Sequence, residues 1–290
     1  ASIYQVDTLA VGFPRNAKQT SALVQAALEA NIPVIPRGAG TGLAGGAIGE
    51  GLVLDFSRYP RSISELDVER RTVRVDPGVV LDQLNKFLHP HGLRFGPDVA
   101  TSSRARLGGM IANNSSGSHT PVYGTTADHL QELEAVLADG RVVSVGPGHD
   151  MLRKQREVVE ELVYFNALEI TERMPPGLLK RWPGYALDRA AREPANLNHL
   201  LCGSEGTLAA LTSAVLKLVP LPRERGLVLL FFASVAEAMQ ATVEVLELKP
   251  AAVEHMDRVL LDQTKGQLEF QAARSLLELE HQPCQSILVV

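Results

Sequence analysis

Residues 32–51 most constrain how this sequence can fold, because they contain a dense run of glycine. Glycine occupies positions 38, 40, 42, 45, 46, 49 and 51, and apolar residues lead into and out of the run. Glycine has no Cβ and readily adopts positive φ, so successive backbone N–H groups can turn toward one anion. The pattern predicts a strand–loop–strand cradle for the pyrophosphate of a dinucleotide. A plain glycine-rich crossover between two strands is the alternative.

The same run matches a Rossmann pattern literally, since residues 40–45 read G-x-G-x-x-G. That pattern needs a helix directly afterwards, whose N-terminus receives the pyrophosphate. Gly46, Gly49 and Gly51 follow instead, and each would cost a helix about 1 kcal/mol relative to alanine. No acidic residue ends a second strand roughly 20 residues later, and no P-loop pattern occurs. The sequence therefore excludes both of these nucleotide-binding folds.

Composition and charge exclude several classes of function. The net charge is −5 and the isoelectric point about 5.9, so nothing indicates nucleic-acid binding. No apolar run approaches the roughly 20 residues that span a bilayer, and no transmembrane segment is predicted. Cys202 and Cys284 are isolated, which indicates a reducing compartment and offers no iron–sulfur or metal site. We predict a cytoplasmic protein, with peripheral attachment to the inner face of the membrane through a partner left open.

Periodicity predicts the regular elements on either side of the glycine run. Residues 15–31 and 79–91 have the amphipathic pattern of helices, and Gly92 follows the second helix in the position of a C-terminal cap. Residues 32–36 and 52–56 are predicted strands. Residues 63–67 with 72–75, and 130–137 with 141–145, alternate apolar and polar residues about turn signals and are predicted hairpins.

Two further stretches are candidates for ligand binding. Residues 95–123 are polar and rich in glycine, with one predicted helical turn within 104–112, and so long a polar segment inside a domain is typically functional. Residues 203–206, GSEG, form a predicted tight turn in which Glu205 either accepts from a ribose hydroxyl or caps the following segment. Residues 200–202 and 214–219 are predicted strands.

Proline and a change in texture indicate the domain organisation. Pro220 and Pro222 mark a boundary, so we predict one domain over residues 1–222, with a helical, proline-punctuated insertion at 151–198. Residues 223–290 are predicted to begin a second domain as a β-α-β unit, with strands at 226–232 and 251–257 around a helix at 235–246. A final strand at 286–290 ends the sequence without a polar tail, which indicates a piece of a longer protein.

Several spaced segments together resemble a known family. In chain order they are PRGAGTGLAGG, GPD with TSS, LGGMIANNSSG, YG, LADG and GSEGTLAALTSAVLKLVPLP. They resemble the FAD-binding domain of the PCMH/vanillyl-alcohol-oxidase flavoprotein superfamily, over about residues 7–260. Within it the sequence is most similar to the FAD-linked 2-hydroxy-acid dehydrogenase branch, which includes the flavoprotein component of glycolate oxidase, D-lactate dehydrogenase and D-2-hydroxyglutarate dehydrogenase.

The resemblance implies a fold and a function. The fold would be α+β, a PCMH-type domain of two α+β subdomains that bind FAD between them, followed by the start of a truncated α+β substrate domain. The whole protein, a larger FAD and iron–sulfur protein, would oxidise a D-2-hydroxy acid of the lactate, glycolate or 2-hydroxyglutarate class by hydride transfer to FAD. An iron–sulfur domain or subunit, or a quinone, would accept the electrons. The alternatives are a non-catalytic FAD-binding module and a flavin reductase of the cell-wall precursor type.

The resemblance also assigns residues to the cofactor and to the substrate. Members with covalent flavin carry a histidine where this sequence has Thr41, so non-covalent FAD is expected. The catalytic residues and a metal site would lie beyond Val290, and neither is assigned within the sequence. Arg181 and Tyr185 correspond to a substrate-side segment, although a surface arginine beside a buried tryptophan would explain Arg181 equally well. The residues assigned to FAD are Pro36, Arg37, Gly38, Ala39, Gly40, Thr41, Gly42, Leu43, Gly45, Pro97, Asp98, Thr101, Ser102, Gly108, Gly109, Asn113, Gly117, Glu205 and Gly206.

Overall fold

The structure is a computed structural model that describes residues 3–177, 184–281 and 284–290. Its contacts divide the described residues into two units, one formed by residues up to 117 with 123–221, and one formed by 118–122 with 222–290. Both helices and sheets are present, so the predicted α+β class is confirmed. None of the helices in the described ranges is long and apolar enough to cross a bilayer.

Strands of the first unit build one parallel and one antiparallel sheet. A parallel three-stranded sheet has the order β1-β3-β2, an antiparallel five-stranded sheet has the order β4-β5-β9-β7-β8, and β6 pairs with β10. The ten strands are β1 (Ala10–Gly12), β2 (Val34–Arg37), β3 (Leu52–Asp55), β4 (Ile63–Asp67), β5 (Thr72–Val75), β6 (Leu93–Arg94), β7 (Leu130–Leu137), β8 (Val142–Val145), β9 (Ala209–Lys217) and β10 (Val219–Pro220).

Helices of the described chain are mostly short. The two long helices that precede residue 200 are α1 and α5, and short 3-10 turns follow α2 and precede β7. The helices up to that point are α1 (Ala17–Glu29), α2 (Leu81–Leu88), α3 (Leu107–Ala112), α4 (Thr120–Tyr123), α5 (Arg153–Phe165), α6 (Ala167–Arg173), α7 (Leu187–Arg192) and α8 (Asn198–Leu201).

The parallel sheet places the glycine run at its edge. Parallel neighbours need a long connection, which is usually a helix, but here residues 38–51 connect β2 directly to its parallel partner β3 without one. The rejection of a Rossmann site is therefore confirmed. Helix α1 packs on this sheet through Val24, which joins Leu54 and Phe56 in a small buried cluster. Its N-cap is Asn16, whose side chain accepts from the N–H of Gln19 at 3.0 Å, so the helix starts later than predicted.

The antiparallel sheet supports the main core. Val73, Leu133 and Leu216 from its strands pack with Leu84 of α2 and with Phe95, and all five are almost completely buried. The two predicted hairpins are confirmed as β4–β5 and β7–β8. Helix α2 is shorter than predicted because Pro90 cannot donate a helical hydrogen bond, and a 3-10 turn at His89–His91 completes the segment before Gly92, at φ +68°.

Two predictions about residues 200–219 are corrected. Residues 200–202 are not a strand: Leu201 closes helix α8, and the N–H of Cys202 donates to the carbonyl of Asn198 at 2.8 Å. A short apolar run cannot by itself distinguish a buried strand from a buried helical turn. The next strand, β9, begins at Ala209 rather than at residue 214, because Ala209 already pairs with Leu137 of β7.

The second unit contains a small antiparallel sheet with the order β11-β13-β12. The predicted order of strand, helix and strand is present over residues 229–257, and the last strand of the sequence lies between these two strands and pairs antiparallel with both. Ile287 of that strand is completely buried among Leu229, Leu261 and Leu279. Its elements are β11 (Leu229–Phe232), α9 (Val235–Glu247), β12 (Glu254–Asp257), α10 (Arg258–Gln263), a 3-10 turn (Leu268–Phe270), α11 (Gln271–Leu276) and β13 (Ser286–Val289).

An ion pair ties helix α7 to the segment that precedes β7. The carboxylate of Asp128 accepts from the N–H and hydroxyl of Thr125 at 2.7 and 3.0 Å, and from the guanidinium of Arg189 at 2.7 Å. Burial raises the pKa of Asp128, but the hydrogen bonds from Thr125 and the charge of Arg189 outweigh it and hold the pKa below its ordinary value. Arg189 is itself mostly buried, so the pair is shielded from solvent on one side.

We predict that Arg189→Met lowers the free energy of unfolding at pH 7 by about 1–3 kcal/mol, because charged hydrogen bonds to Asp128 are lost. The pKa of Asp128 is depressed in the folded state, so its stabilisation is present above about pH 4 and declines as the pH falls through the folded-state pKa. Urea unfolding at pH 7 and pH 3 should show a smaller difference between variant and wild type at pH 3. Arg173→Met, which removes an exposed pair with Glu169, is the control; an effect of equal size there would contradict the argument.

Candidate functional site

An open cleft of about 250 Å³ lies in the first unit, between the glycine run, the segment around α3 and the turn at 203–206. These three stretches are far apart in the sequence, and each was a candidate for ligand binding. The sequence-predicted residues that line the cleft are Pro36, Arg37, Gly38, Ala39, Gly40, Thr41, Gly42, Leu43, Thr101, Gly108, Gly109, Asn113, Glu205 and Gly206.

The glycine run supplies backbone donors to this cleft. Within the described part of the chain, the N–H groups of Gly38, Ala39, Thr41 and Gly42 donate to no protein acceptor. Arg37, at the end of β2, folds its guanidinium back over the loop, with Nη1 donating to the carbonyl of Ala47 at 3.4 Å. A loop with several free backbone N–H groups can bind an anion through hydrogen bonds from them.

Helix α3 forms the opposite wall and is held by buried residues on its other side. Leu107, Met110 and Ile111 lie in the core, and the N–H of Leu107 donates to the carbonyl of Val79 at 2.9 Å. A Cβ built on Gly109 meets no atom within 4 Å, so this glycine leaves open space in the cleft wall. Asn113 ends the helix, with its amide nitrogen near Gly42.

The turn at 203–206 fixes α3 from its C-terminal end. The N–H groups of Gly203 and Glu205 donate to the carbonyls of Ile111 and Ala112 at 3.0 and 2.9 Å, and the carbonyl of Ala112, which the helix end leaves unpaired, thereby gains a donor. Glu205 adopts φ +52°, a conformation that is uncommon for residues other than glycine. The turn is thereby pressed into a strained shape that brings Glu205 to the cleft.

Other predicted residues do not line the cleft. Two of them lie in close contact with each other: a Cβ built on Gly117 would overlap the carbonyl oxygen of Asp98, so only glycine permits this approach. The carbonyl of Ser102 accepts a hydrogen bond from the backbone N–H of Asp82, and the hydroxyl of Tyr185 lies 2.7 Å from the hydroxyl of Thr207. Arg181 lies outside the described residues. The predicted residues that the structure does not bring into the lining are Gly45, Pro97, Asp98, Ser102, Gly117 and Tyr185.

Several lining residues were not identified from the sequence. Arg106 precedes the glycine pair of α3, and Ser115 follows it. Asn114, between the lining residues Asn113 and Ser115, does not itself line the cleft; its Oδ1 accepts from the N–H of Ala127 at 2.9 Å and connects this segment to the residues that precede β7. Leu107 separates Arg106 from the glycine pair, and no local pattern marks this arginine as a ligand-binding residue.

The cleft carries positive charge with little acidic compensation. Its charged side chains among the described residues are Arg37, Arg106 and Glu205. Burial, together with the charge of Arg61, lowers the pKa of Arg106, while Asp55 acts in the opposite direction; an arginine nevertheless remains protonated. No group of three histidine, cysteine, aspartate or glutamate side chains that could hold a metal ion occurs in the ranges that the structure describes.

Comparisons with known proteins agree with this arrangement. Residues 8–146 match the family of FAD binding domains, and residues 221–290 match the C-terminal domain of FAD linked oxidases. The chain belongs to the family of FAD-linked oxidases with a PCMH-type FAD-binding domain. The predicted family and cofactor are confirmed, and the glycine cradle belongs to an FAD-binding domain.

The individual relatives are longer than this chain. A D-2-hydroxyglutarate dehydrogenase of Pantoea ananatis is 34% identical over 95% of this chain and 29% of the relative. One of Pseudomonas putida is 36% identical over 90% of this chain and 27% of the relative. A D-lactate dehydrogenase of Archaeoglobus fulgidus is 35% identical over 84% of this chain and 46% of the relative. This chain therefore spans less than half the length of each of these relatives.

A solved structure of alkyldihydroxyacetonephosphate synthase shares the fold. It superposes with a TM-score of 0.69 at 21% identity, over 96% of this chain and 46% of that chain. At this low identity the likeness concerns architecture alone, and it agrees with the predicted fold family.

The described residues fit the cofactor of this flavoprotein family. Free backbone N–H groups in the glycine run suit a pyrophosphate, and the open space beside Gly109 admits a ligand that a side chain would exclude. The positive charge of the lining suits a ligand with two phosphates. Apolar residues at the base of the cleft, including Phe56, Met110 and Leu211, suit a ring system.

We predict that Gly109→Ala and Gly108→Ala have different effects on the stability of the apoprotein and on FAD binding. Alanine at 109 meets no protein atom, so the apoprotein should be as stable as wild type or up to about 1 kcal/mol more stable, because alanine favours a helix. Its methyl group nevertheless enters the cleft and should weaken FAD binding. Alanine at 108 would approach the Cβ of Pro77 to 2.6 Å and should destabilise the apoprotein by about 1–3 kcal/mol.

Urea unfolding of the two apoproteins and fluorescence titration with FAD provide the two measurements. Gly108→Ala serves as the matched control, because it should lower the stability of the apoprotein, whereas Gly109→Ala should lower the affinity for FAD without lowering that stability. Wild-type affinity in a stable Gly109→Ala protein would show that the cofactor does not pack against this position.

Proposed function

We propose that the protein is an FAD-dependent oxidoreductase that oxidises a D-2-hydroxy acid, and that D-2-hydroxyglutarate is its substrate. The observation that carries this proposal is the cleft itself, in which three distant glycine-rich stretches converge around free backbone donors and unpaired positive charge. Four relatives between 32% and 36% identical to this chain are named D-2-hydroxyglutarate dehydrogenase, which favours this acid over lactate or glycolate.

The residues of the chain divide the work of holding the cofactor. The N–H groups of Gly38, Ala39, Thr41 and Gly42 would bind the pyrophosphate, and α3 with Asn113 would line the remainder of the ligand. When bound, FAD would accept the hydride from the Cα of the hydroxy acid. The protein contributes orientation, a shielded surface and a fixed field of donors around it.

The attachment of FAD, the electron acceptor and the domain boundary are also part of the proposal. We propose that FAD is held without a covalent bond, since Thr41 offers no nucleophilic ring nitrogen where tethered relatives have histidine. An iron–sulfur domain or subunit, or a quinone, would take the electrons, and such a partner would also provide any attachment to a membrane surface. We place the end of the FAD-binding domain near residue 222; the separate match of residues 221–290 and the division of contacts near Leu221 support this boundary.

A second candidate is that these 290 residues alone bind FAD without catalysing its reduction. The composition of the lining favours it: Glu205 is the only acid–base side chain among the described lining residues, which include no histidine, tyrosine or cysteine. Proton transfer from the substrate hydroxyl needs a base within hydrogen-bonding distance, and Glu205 lies beside Gly46 of the phosphate loop.

Anaerobic reduction tests the substrate. We expect the purified protein to be yellow, and the whole protein to lose its oxidised-flavin absorbance on addition of D-2-hydroxyglutarate. L-2-hydroxyglutarate is the matched control, and D-lactate and glycolate are the competitors. Faster reduction by D-lactate or glycolate would replace the proposed substrate, and a protein that takes up no FAD would refute the cofactor. Bleaching of the 290-residue chain alone would exclude the second candidate.

Flavin release tests the mode of attachment. Acid precipitation should leave all of the flavin in the supernatant, because backbone hydrogen bonds and charge contacts do not survive unfolding. The released flavin should be FAD by chromatography, and the protein band on a denaturing gel should not fluoresce. Flavin that stays with the precipitate would contradict non-covalent binding and would require a different attachment residue from Thr41.

A further inference from the structure

Arg106 is a cation that the protein itself leaves only partly paired. It lies directly before α3 and lines the cleft, and its Nη1 donates to the carbonyl of Gly78 at 2.7 Å. Its Nε is shielded from solvent and has no acceptor among the described residues. The fork formed by Nε and Nη2, the edge of a guanidinium that suits two oxygens of an anion, is therefore unused by the protein.

Such an arrangement costs stability in the absence of a ligand. A shielded donor without an acceptor loses its hydrogen bond to water and gains nothing in return, and a partly buried charge without a carboxylate partner adds to that cost. The electrostatic surroundings agree: Arg61 lies near enough to oppose the charge, and Asp55 compensates only in part. A side chain kept at such a cost indicates a partner that is not protein.

The position of Arg106 identifies what that partner would be. A Cβ built on Gly38 would lie 3.3 Å from the Cβ of Arg106 and 3.5 Å from the backbone nitrogen of Gly109. Arg106 thus stands against the first residues of the glycine run, where N–H groups are free. The other arginine of the lining, Arg37, is directed elsewhere, because its guanidinium lies over Gly40 and donates to the carbonyl of Ala47.

We propose that Arg106 binds the pyrophosphate of the dinucleotide, with its free guanidinium fork donating to phosphate oxygens beside the N–H groups of the glycine run. The inference rests on the proposed function, since it takes FAD as the ligand of this cleft. Its backbone already lies beside Gly38, so pairing requires only a change in side-chain torsions. The glycine run would supply shape and directed donors, and Arg106 would supply the charge that the run lacks.

The test compares ligands that share or lack the pyrophosphate. Apoproteins of wild type, Arg106→Met and Arg106→Lys would be titrated with FAD, with ADP and with riboflavin by calorimetry. Removing a charged hydrogen-bond donor should weaken FAD and ADP alike, by about 10- to 100-fold. Riboflavin, which has no phosphate, should bind the variants and wild type equally. Lysine retains the charge but not the fork, so its loss should be intermediate.

Two controls separate a binding role from a structural one. Arg104→Met removes an exposed arginine two residues away that does not line the cleft, and its FAD affinity should stay within about twofold of wild type because surface charges contribute little. Urea unfolding of the apoproteins should place Arg106→Met close to wild type, since the variant removes an unpaired shielded donor together with the hydrogen bond from Nη1 to Gly78. Addition of FAD should then stabilise wild type more than the variant.

The outcomes distinguish failure of this inference from failure of the proposed function. If wild type binds FAD, and Arg106→Met binds FAD and ADP with the same affinities as wild type, Arg106 does not bind the pyrophosphate. Only this inference is then overturned. A loss of FAD and riboflavin affinity with ADP unchanged would place Arg106 at the flavin end and also overturn it. Equal destabilisation of apoprotein and FAD complex would make Arg106 a structural residue. A wild-type protein that binds neither FAD nor ADP would overturn both proposals.

Discussion

Two backbone hydrogen bonds hold the candidate site together, those from Gly203 and Glu205 to the last carbonyls of α3. The bond from Glu205 gives the carbonyl of Ala112 a donor that the end of the short helix does not provide, and both bonds hold a turn that is distant in the sequence against the helix. The same turn brings Gly206 against Pro36, at the start of the glycine run. The cleft exists because three segments meet at this point, and loss of the turn would separate the phosphate cradle from the wall that faces it.

The chemistry of the site follows from what this packing leaves free. The buried side of α3 is committed to the core through Leu107 and Ile111, so its glycine-rich side is available to the cleft. The glycine run is held by two parallel strands at its ends, and the N–H groups of Gly38, Ala39, Thr41 and Gly42 have no protein acceptor among the described residues. Donors and positive charge thus accumulate on one surface, and an anionic dinucleotide satisfies both. Binding energy is gained from backbone groups that are already oriented, which lowers the conformational entropy that the protein must lose on binding.

Local patterns predicted the elements and the phosphate cradle, because alternation, amphipathicity and glycine density are properties of neighbouring residues. They failed where the decisive contact is distant. Residues 200–202 were predicted to form a strand, but they form the end of helix α8 and the buried residue that follows it. Strand β13 lies between β11 and β12 through pairings that no local pattern encodes. The resemblance supplied half of the lining residues, but it could not separate those that line the cleft from those, such as Gly117 and Asp98, that do not. Arg106 was missed because its significance lies in an absent protein partner, which only a folded environment reveals.

Holding a cofactor and acting on a substrate place different demands on the chain. The cofactor needs many weak, fixed donors, and a glycine run with a supporting helix provides them within one compact unit. The substrate needs a base near its hydroxyl and a group that pairs with its carboxylate. Among the described lining residues Glu205 is the one acid–base group, and it lies at the phosphate loop. The two demands can therefore be met by different parts of one polypeptide. This separation is consistent with the matched relatives, which are more than twice as long as the region that they share with this chain.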